Sequence, residues 1–385
     1  MLSSRLAARY NCLPSIQTLD AMSPSVTRNR RSFPLLPVMT LLGGLLGNGM
    51  AQAIPFQIFE PRALGMGGAT VALADRYSAR NNPAALALLG ESQDVFLEFP
   101  SLGRNTVSSR LEDRLQAFQS ASAPVRDAAR DTLNGSRRWR ILQGGGSLGL
   151  PNLPVALGAS LYGYYLESIE AYAPTPTNSR IRLRGLSVVE SQITLAKSLR
   201  PWPGSSSRLA LGLAPKLMLV RSYFYDAASD DTVLQRLGKQ VRDHNRFNLD
   251  LGLTQEFAYT WKLGLLVRNA LPLDARYANG EAAPLARQWR AGLSHRRGAH
   301  YYTLDLDLNP SRRQDGQQTQ HLALGADLAL GQHWRLRMGM ALDLRSGMAQ
   351  PAGGVGVGWR HLRLDLAAMR QTQGFLAQAG LLLMF

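Results

Sequence analysis

The chain has 385 residues, of which 45% are hydrophobic and 18% are charged, and its formal net charge is +16. This composition is typical of a folded chain and excludes the disordered class. The one cysteine, Cys12, lies in a segment that we expect to be removed, which excludes disulfides, cysteine nucleophiles and cysteine-based metal sites from the mature protein. No block of five or six basic residues is present, so nucleic acid is not expected as a partner.

Residues 1–53 are predicted to be an export segment. Three arginines, Arg28, Arg30 and Arg31, precede the apolar stretch 33–50, and "AQA" at 51–53 has the form of a cleavage site. A transmembrane anchor is the alternative, but the many glycines and the "AQA" favour a cleaved signal. Residues 1–21 fit a signal poorly and are interpreted as the product of an upstream start site.

Small residues dominate the next segment, residues 54–92. It contains "ALGMGGATVALAD" and, further on, "NNPAAL". Gly65, Gly67 and Gly68 permit positive φ angles and close approach of backbone to backbone. Asn82 can close an Asx turn, and Pro83 fixes the following φ. The residues alone leave two interpretations: an ordinary strand and turn, or a segment that folds inside a larger structure.

Strict alternation of apolar and polar residues dominates residues 93–385 and predicts an antiparallel all-β protein. A soluble sandwich and a transmembrane β-barrel would both give this pattern. Strands of about ten residues, the export signal and a polar face that mixes charges with Gly and Ala favour the barrel. Fourteen strands are predicted, near 94–101, 140–149, 155–169, 181–198, 208–224, 246–258, 262–271, 287–297, 300–308, 321–330, 333–345, 351–359, 361–370 and 375–385.

The alternation is interrupted at residues 110–138. Apolar residues at helical spacing predict two short amphipathic helices there, in a loop or partly in the lumen. Two interpretations stay open: a lid or partner-docking element, and a packed excursion of the loop. The longer polar stretches 174–180, 227–245, 274–286 and 311–320 are predicted to be loops at one end of the barrel.

The chain ends in "FLAQAGLLLMF", which alternates to its last residue. A terminal Phe on an amphipathic strand is similar to the C-terminal signature of bacterial outer-membrane proteins. Phe385 is therefore predicted to be the signal that the barrel-assembly machinery recognises.

The two quoted pieces of residues 54–92 resemble the N-terminal motif of the fatty-acid-transporter-like (FadL-like) outer-membrane barrels. The resemblance implies a barrel of about fourteen strands in the cell outer membrane, with residues 54–92 as a plug in its lumen. The implied function is passive transport of hydrophobic small molecules. The helical insert instead favours the conjugal-transfer (TraF-like) branch, in which the barrel would be a docking scaffold for transfer or secretion proteins. The plug motif comprises Gly65, Gly67, Gly68, Asp75, Asn82, Pro83 and Ala84.

Charged residues on the polar face are expected to point into the lumen. They would form ion-pair networks that fill it, or their surplus arginines would hold an acidic head group. The predicted lumen charges are Arg182, Arg184, Lys216, Arg246, Arg290, Arg335, Arg337, Arg363, Asp305, Asp307, Asp343 and Asp365.

No enzyme activity, catalytic residue, cofactor or metal is expected. Gly144-x-Gly146-x-x-Gly149 has the form of a dinucleotide fingerprint, which needs a strand that runs into a helix. The prolines of "LPNLP" directly after it forbid that helix, so the glycines are predicted to lie on a barrel strand. The expected partners are outer-membrane lipid, the barrel-assembly machinery, and either hydrophobic small molecules or transfer and secretion proteins.

Overall fold

The computed structural model describes residues 60–74, 81–89, 95–105, 110–122, 125–175, 178–200, 207–228, 241–258, 260–312, 317–371 and 374–385. The predictions for residues 1–53, and for Asp75 in the plug motif, concern residues outside this description. The helices within it are α1 (Pro61–Gly65), a 3₁₀ helix (Pro83–Leu88), α2 (Arg110–Ser120) and α3 (Arg126–Leu133).

Fourteen strands close into an antiparallel barrel, in which the first strand pairs with both the second and the last. They are β1 (Phe96–Asn105), β2 (Arg137–Leu150), β3 (Ala156–Thr175), β4 (Asn178–Leu199), β5 (Arg208–Ala228), β6 (Val241–Phe257), β7 (Trp261–Arg268), β8 (Gln288–Arg297), β9 (His300–Asp307), β12 (His321–Leu330), β13 (Trp334–Asp343), β14 (Met348–Gly358), β15 (Leu362–Gln371) and β16 (Gly374–Met384). Two short strands, β10 (Ser311–Arg312) and β11 (Gln318–Thr319), pair separately. The prediction of an all-β barrel of fourteen strands is confirmed.

The alternating faces are oriented as in a membrane barrel. On β5, Leu217 and Leu219 are more than half exposed, whereas Lys216 is almost completely buried. The same inversion recurs around the wall, where buried charged residues face inward: Arg290, Arg337, Asp305, Asp327, Asp343 and Asp365. A soluble sandwich would bury the leucines and expose the charges, so that alternative is wrong. The apolar exterior and the charged lumen are those of an outer-membrane β-barrel.

The two ends of the barrel differ. At one end, here called the turn side, the described connections between strands are tight turns, and the backbone N–H of Phe385 donates to the carbonyl of Val95 at 2.9 Å. The opposite end, here called the loop side, carries the helices α2 and α3 and the β7–β8 loop, residues 269–287. β3, β4 and β5 have 20, 22 and 21 residues and extend further on the loop side than β12, which has 10. The stretch 174–180, predicted as a loop, is therefore largely strand.

Helices α2 and α3 pack against the outer face of this taller part of the wall. Leu111, Leu115, Phe118 and Leu133 form one buried cluster with Ile169, Ala171, Ile181, Leu183 and Tyr225. These strand residues alternate with residues that face the lumen, such as Leu166, Leu186 and Phe224. The two predicted helices exist, but they lie outside the wall, because their apolar faces match outward-facing side chains there.

The glycine motif Gly144-x-Gly146-x-x-Gly149 lies within β2, and no helix follows it. Of the described helices, none has the length and hydropathy needed to cross a membrane. Over the same residues, no group of His, Cys, Asp or Glu side chains is arranged to hold a metal ion.

Candidate functional site: the barrel lumen

Residues 60–74 and 81–89, here called the lumenal segments, lie inside the barrel. The helix α1 begins with Pro61 at a position where the missing N–H costs no hydrogen bond. Gly67 and Gly68 then adopt φ angles of +67° and +85°, and the N–H of Gly68 donates to the carbonyl of Ala63 at 2.8 Å. This turn requires glycine, which explains the Gly-Gly pair of the motif.

Arg62 joins the first lumenal segment to the wall through a buried ion pair. Its Nε lies 2.7 Å from Asp327 Oδ2, and both side chains are at most 4% exposed. Arg335 and Arg337 of β13 approach the same carboxylate at 2.7 and 3.5 Å. Arg337 continues the network to Asp365 of β15, at 2.6 Å. Asp327 is therefore shared by three guanidinium groups, one of which belongs to the segment.

Asp305 of β9 holds the backbone of the same segment. Its Oδ2 accepts hydrogen bonds from the N–H groups of Thr70 and Val71 at 2.7 and 2.9 Å. Arg290 lies 3.8 Å from Asp305 and 3.3 Å from Asp307, so its charge is shared between the two carboxylates. Because a buried carboxylate needs compensation, these donors couple the segment to the charge balance of the wall.

Asn82 anchors the second lumenal segment. Its Oδ1 accepts from the N–H of Ala84 at 3.1 Å, which is the Asx turn expected from the sequence. Its Nδ2 donates to the carbonyl of Val71 at 2.8 Å and lies 3.1 Å from Thr254 Oγ1. One side chain thus ties the turn, the first segment and strand β6 together.

Three pairs of inward-facing glycines make room for these segments. They are cross-strand partners: Gly212 with Gly252, Gly264 with Gly292, and Gly325 with Gly339. A Cβ atom at Gly252 would lie 2.1 Å from Asn82 Oδ1, and one at Gly339 would lie 2.2 Å from the carbonyl carbon of Met66. Any side chain there would collide with the segments, so the wall is shaped to their backbone.

A large apolar cluster lies in the loop-side half of the lumen, beside buried charges such as Asp307 and Asp343, and forms what we call the chamber. Its floor is made by Ala63 and Leu64 of α1. Its wall is one buried hydrophobic cluster: Ile141, Tyr162, Tyr164, Leu166, Leu186, Val188, Met218, Val220, Phe224, Ala341, Ala367, Met369 and Leu376. An apolar region of this size is unusual inside a barrel whose lumen is otherwise lined by ion pairs.

The β7–β8 loop closes the chamber from above. Arg276 and Ala282 form an antiparallel bridge, and the N–H of Tyr277 donates to the carbonyl of Glu281 at 2.9 Å, so the loop makes a small hairpin. One face of the hairpin is buried in the chamber cluster: Ala275, Tyr277, Ala283 and Leu285. Its opposite face carries exposed polar residues such as Asp274. The hairpin therefore covers the chamber with an apolar underside.

An ion pair joins the tip of this hairpin to the wall. Arg184 Nε and Nη2 donate to the two carboxylate oxygens of Glu281 at 2.9 and 3.2 Å. The Arg184 side chain is 8% exposed, whereas that of Glu281 is 47% exposed. The hydrogen bonds from Arg184 lower the pKa of Glu281 below the ordinary carboxyl value.

A cavity of about 1210 Å³ is lined by residues of strands β2, β3, β4, β13, β14, β15 and β16. Its lining includes outward-facing small residues, among them Gly144, Gly163, Gly353 and Ala377. The lining also includes Tyr164, Val188 and Ala367 of the chamber wall, so this cavity borders the chamber.

Several solved structures resemble the barrel. A deletion mutant titled "TodX deltaS2S3 mutant monoaromatic hydrocarbon channel" matches with a TM-score of 0.52 and 12% identity, over 86% of this chain and 98% of that one. A deltaS2 mutant of the same channel matches with a TM-score of 0.50 and 11% identity, over 84% and 96%. The P. putida toluene transporter TodX gives 0.49 and 12%, over 84% and 96%. The chain has the fold of the FadL-like barrels.

Sequence comparison adds one family to this FadL-like fold. Residues 120–309 match the model described as "F plasmid transfer operon, TraF, protein", which is just under half of the chain. No curated protein matches the chain by sequence.

Within the FadL-like barrel, the predicted lumen charges occupy different levels. Lys216 lies 2.9 Å from Asp250 and 3.4 Å from Glu190. Arg182 pairs with Asp226 near the loop-side rim. Arg246 is exposed, although its cross-strand neighbour Met218 belongs to the chamber wall. The remaining ones lie in the networks above, in the Arg363–Asp365 pair at 3.3 Å and in the bond from Ser346 Oγ to Asp343 at 2.6 Å.

Local sequence patterns do not identify the residues that hold the segments and cover the chamber. Arg62 was not selected, although it is the charged residue of "PRALG" that reaches Asp327. The glycine pairs could have been found only from strand register. The alternation of Ala275 with Tyr277, and of Ala283 with Leu285, was a usable signal for the hairpin, but each run is two residues long.

Proposed function

We propose that this outer-membrane barrel passes hydrophobic small molecules across the membrane without an energy source, and that the lumenal segments plug it. The chamber carries the proposal: an apolar region enclosed in a charged lumen suits an apolar guest better than ions or sugars. The two TodX deletion mutants that the barrel resembles are monoaromatic hydrocarbon channels, which supports the same class of guest.

The proposed path enters from the loop side, crosses the chamber and leaves past the lumenal segments toward the turn side. The segments are bound to the wall through Asp327 and Asp305 of the wall and through Asn82 of the second segment. Because breaking all of these bonds would leave several buried charges unpaired, we expect a local shift of the segments and not their expulsion.

Uptake into proteoliposomes tests the proposal. The probes are a hydrophobic naphthylamine dye and, as a control for a nonspecific leak, a small sugar. Dye entry should exceed that of protein-free liposomes, and sugar entry should not. Dye entry equal to that of protein-free liposomes would overturn the proposal.

Two adjacent positions provide a matched pair of variants. Val188 faces the chamber, whereas Val189 faces outward. Val188→Thr places a hydroxyl in the chamber and should slow dye entry at least about threefold, because a buried hydroxyl without a partner is costly. Val189→Thr should leave dye entry unchanged.

The second candidate function is that of a docking scaffold in a conjugation or secretion apparatus. The match of residues 120–309 to the TraF model supports it, as do α2 and α3, which present their polar faces outside the wall. Deleting the gene should then lower transfer frequency, and the Val188→Thr variant should restore it fully. Unchanged transfer on deletion would contradict this candidate.

A further inference from the structure

We propose that the β7–β8 hairpin is a lid that excludes ligand from the chamber when closed, and that the Arg184–Glu281 ion pair is its latch. This inference rests on the proposed channel function and adds to it a means of control on the loop side.

The hairpin is built to move as a unit. Its own backbone bonds, from Tyr277 to Glu281 and from Ala283 to Ala275, are internal and survive displacement. The base of the loop is fixed separately, because the N–H groups of Asn269 and Leu271 donate to Asp250 at 2.8 Å and to Asn248 at 3.1 Å. Movement would therefore occur between this fixed base and the hairpin.

The closed position is an exclusion device. Tyr277 is 1% exposed, and its ring occupies space among the chamber side chains. A hydrophobic molecule in the chamber would have to replace this ring and the Leu285 side chain. Ligand binding and lid closure therefore compete for the same apolar surface.

The latch is the charged contact that joins the hairpin tip to the wall. A two-pronged guanidinium–carboxylate contact fixes orientation as well as distance. The described wall contacts of the hairpin also include the hydrogen bond from Ser222 Oγ to the carbonyl of Arg276, at 3.0 Å. Because Glu281 is half exposed, the ion pair can exchange with water, as a reversible contact must.

Thiol labelling measures lid opening without any need for transport. In a Cys12→Ser background, Ala275→Cys and, separately, Ala283→Cys place a thiol on the buried underside of the lid. A membrane-impermeant maleimide should label either thiol slowly in the full-length barrel. Glu281→Gln should raise the labelling rate about fivefold, and the combined Arg184→Glu and Glu281→Arg exchange should lower it again.

Asp274→Asn is the matched control. Asp274 pairs with Arg276 at 2.7 Å within the same loop and is 72% exposed, and the described wall contacts of Arg276 are made by its backbone carbonyl and not by the ion-paired side chain. This control should leave labelling within twofold of the parent. Equal labelling in the Glu281→Gln and parent proteins, at both reporter positions, would overturn the latch.

The outcomes separate the lid from the channel. Faster labelling in Glu281→Gln with no dye uptake by any variant would keep the lid and refute the proposed transport. Dye uptake together with an unchanged labelling rate in Glu281→Gln would support the channel and refute the latch.

Discussion

Two elements occupy the lumen at different levels, and different physical means hold them there. The lumenal segments are held by shared buried charges, by side-chain bonds to their backbone and by a wall hollowed with glycine pairs. The β7–β8 hairpin is held by an apolar underside and a half-exposed ion pair. The lumenal segments are therefore part of the fold, whereas the β7–β8 hairpin is suited to open and close.

The largest effect is expected at Asp327. Asp327→Asn would leave Arg62, Arg335 and Arg337 without their shared carboxylate, and breaking a buried ion pair costs about 3–5 kcal/mol. The free energy of unfolding in urea, followed by heat-modifiable gel mobility, should fall by about that amount. Asp274→Asn, on the exposed face of the hairpin, should have no measurable effect. A loss below about 1 kcal/mol at Asp327 would mean that the ion pair does not support the fold.

Tyr277→Ala should loosen the β7–β8 hairpin and leave the lumenal segments in place. Removing a buried ring costs about 3 kcal/mol, so labelling of Ala275→Cys should accelerate by on the order of a hundredfold, while the unfolding transition of the barrel stays nearly unchanged. Tyr277→Phe keeps the ring and should behave like the parent. If Tyr277→Ala instead unfolded the barrel, the hairpin would belong to the permanent core.

Gly252→Val tests whether the wall is shaped to the lumenal segments. The added Cβ would lie 2.1 Å from Asn82 Oδ1, and overpacking of this kind costs about 1–3 kcal/mol. A thiol at Ala85→Cys, buried in the parent, should become about tenfold more reactive. Gly353→Val is the control, because its Cβ would face outward with its nearest neighbour at 3.7 Å. Equal reactivity in both variants would argue against a fitted wall.

The smallest effect is a pH dependence of the lid. Arg184 lowers the pKa of Glu281 in the closed state, with smaller contributions from Asn279 and Arg182. A lowered pKa in the closed state stabilises that state above the ordinary carboxyl pKa, and this stabilisation is lost as the pH falls through the lowered value.

The Glu281 contribution to labelling of Ala275→Cys should therefore be flat between about pH 6 and 8 and rise only in acid below the ordinary carboxyl range. A change between about pH 6 and 8 would instead point to His244, whose Nε2 lies 3.3 Å from the carbonyl of Arg276. The rise should be about twofold to fivefold, because exposed ion pairs contribute about 1 kcal/mol or less. Glu281→Gln should remove the rise. A rise of the same size in Glu281→Gln would assign the acid effect to another group.

The sequence predicted the barrel well because lipid and lumen alternate at every residue, so each strand carries its own evidence. Spacing alone predicts that Lys216 lies on the lumen face. The chamber, the hairpin and the outer position of α2 and α3 were beyond this reasoning. They depend on which strand lies opposite which, and on how far β3 to β5 extend beyond the other strands.

The individual partners inside the lumen were missed for the same reason. Arg62 and Asp327 are separated by 265 positions along the chain, and no local pattern relates them. Gly252 was unremarkable as a strand glycine until register placed it beside Gly212 and under Asn82.

The three glycine pairs have a consequence for the order of assembly. Because the wall fits closely around the lumenal segments, these segments would be difficult to insert after the barrel has closed. The lumenal segments precede the strands in the chain and are synthesised first, so the barrel can form around them. A register shift of one residue between two neighbouring strands would place a side chain where the lumenal segments require a glycine. The fit therefore also favours the correct strand register.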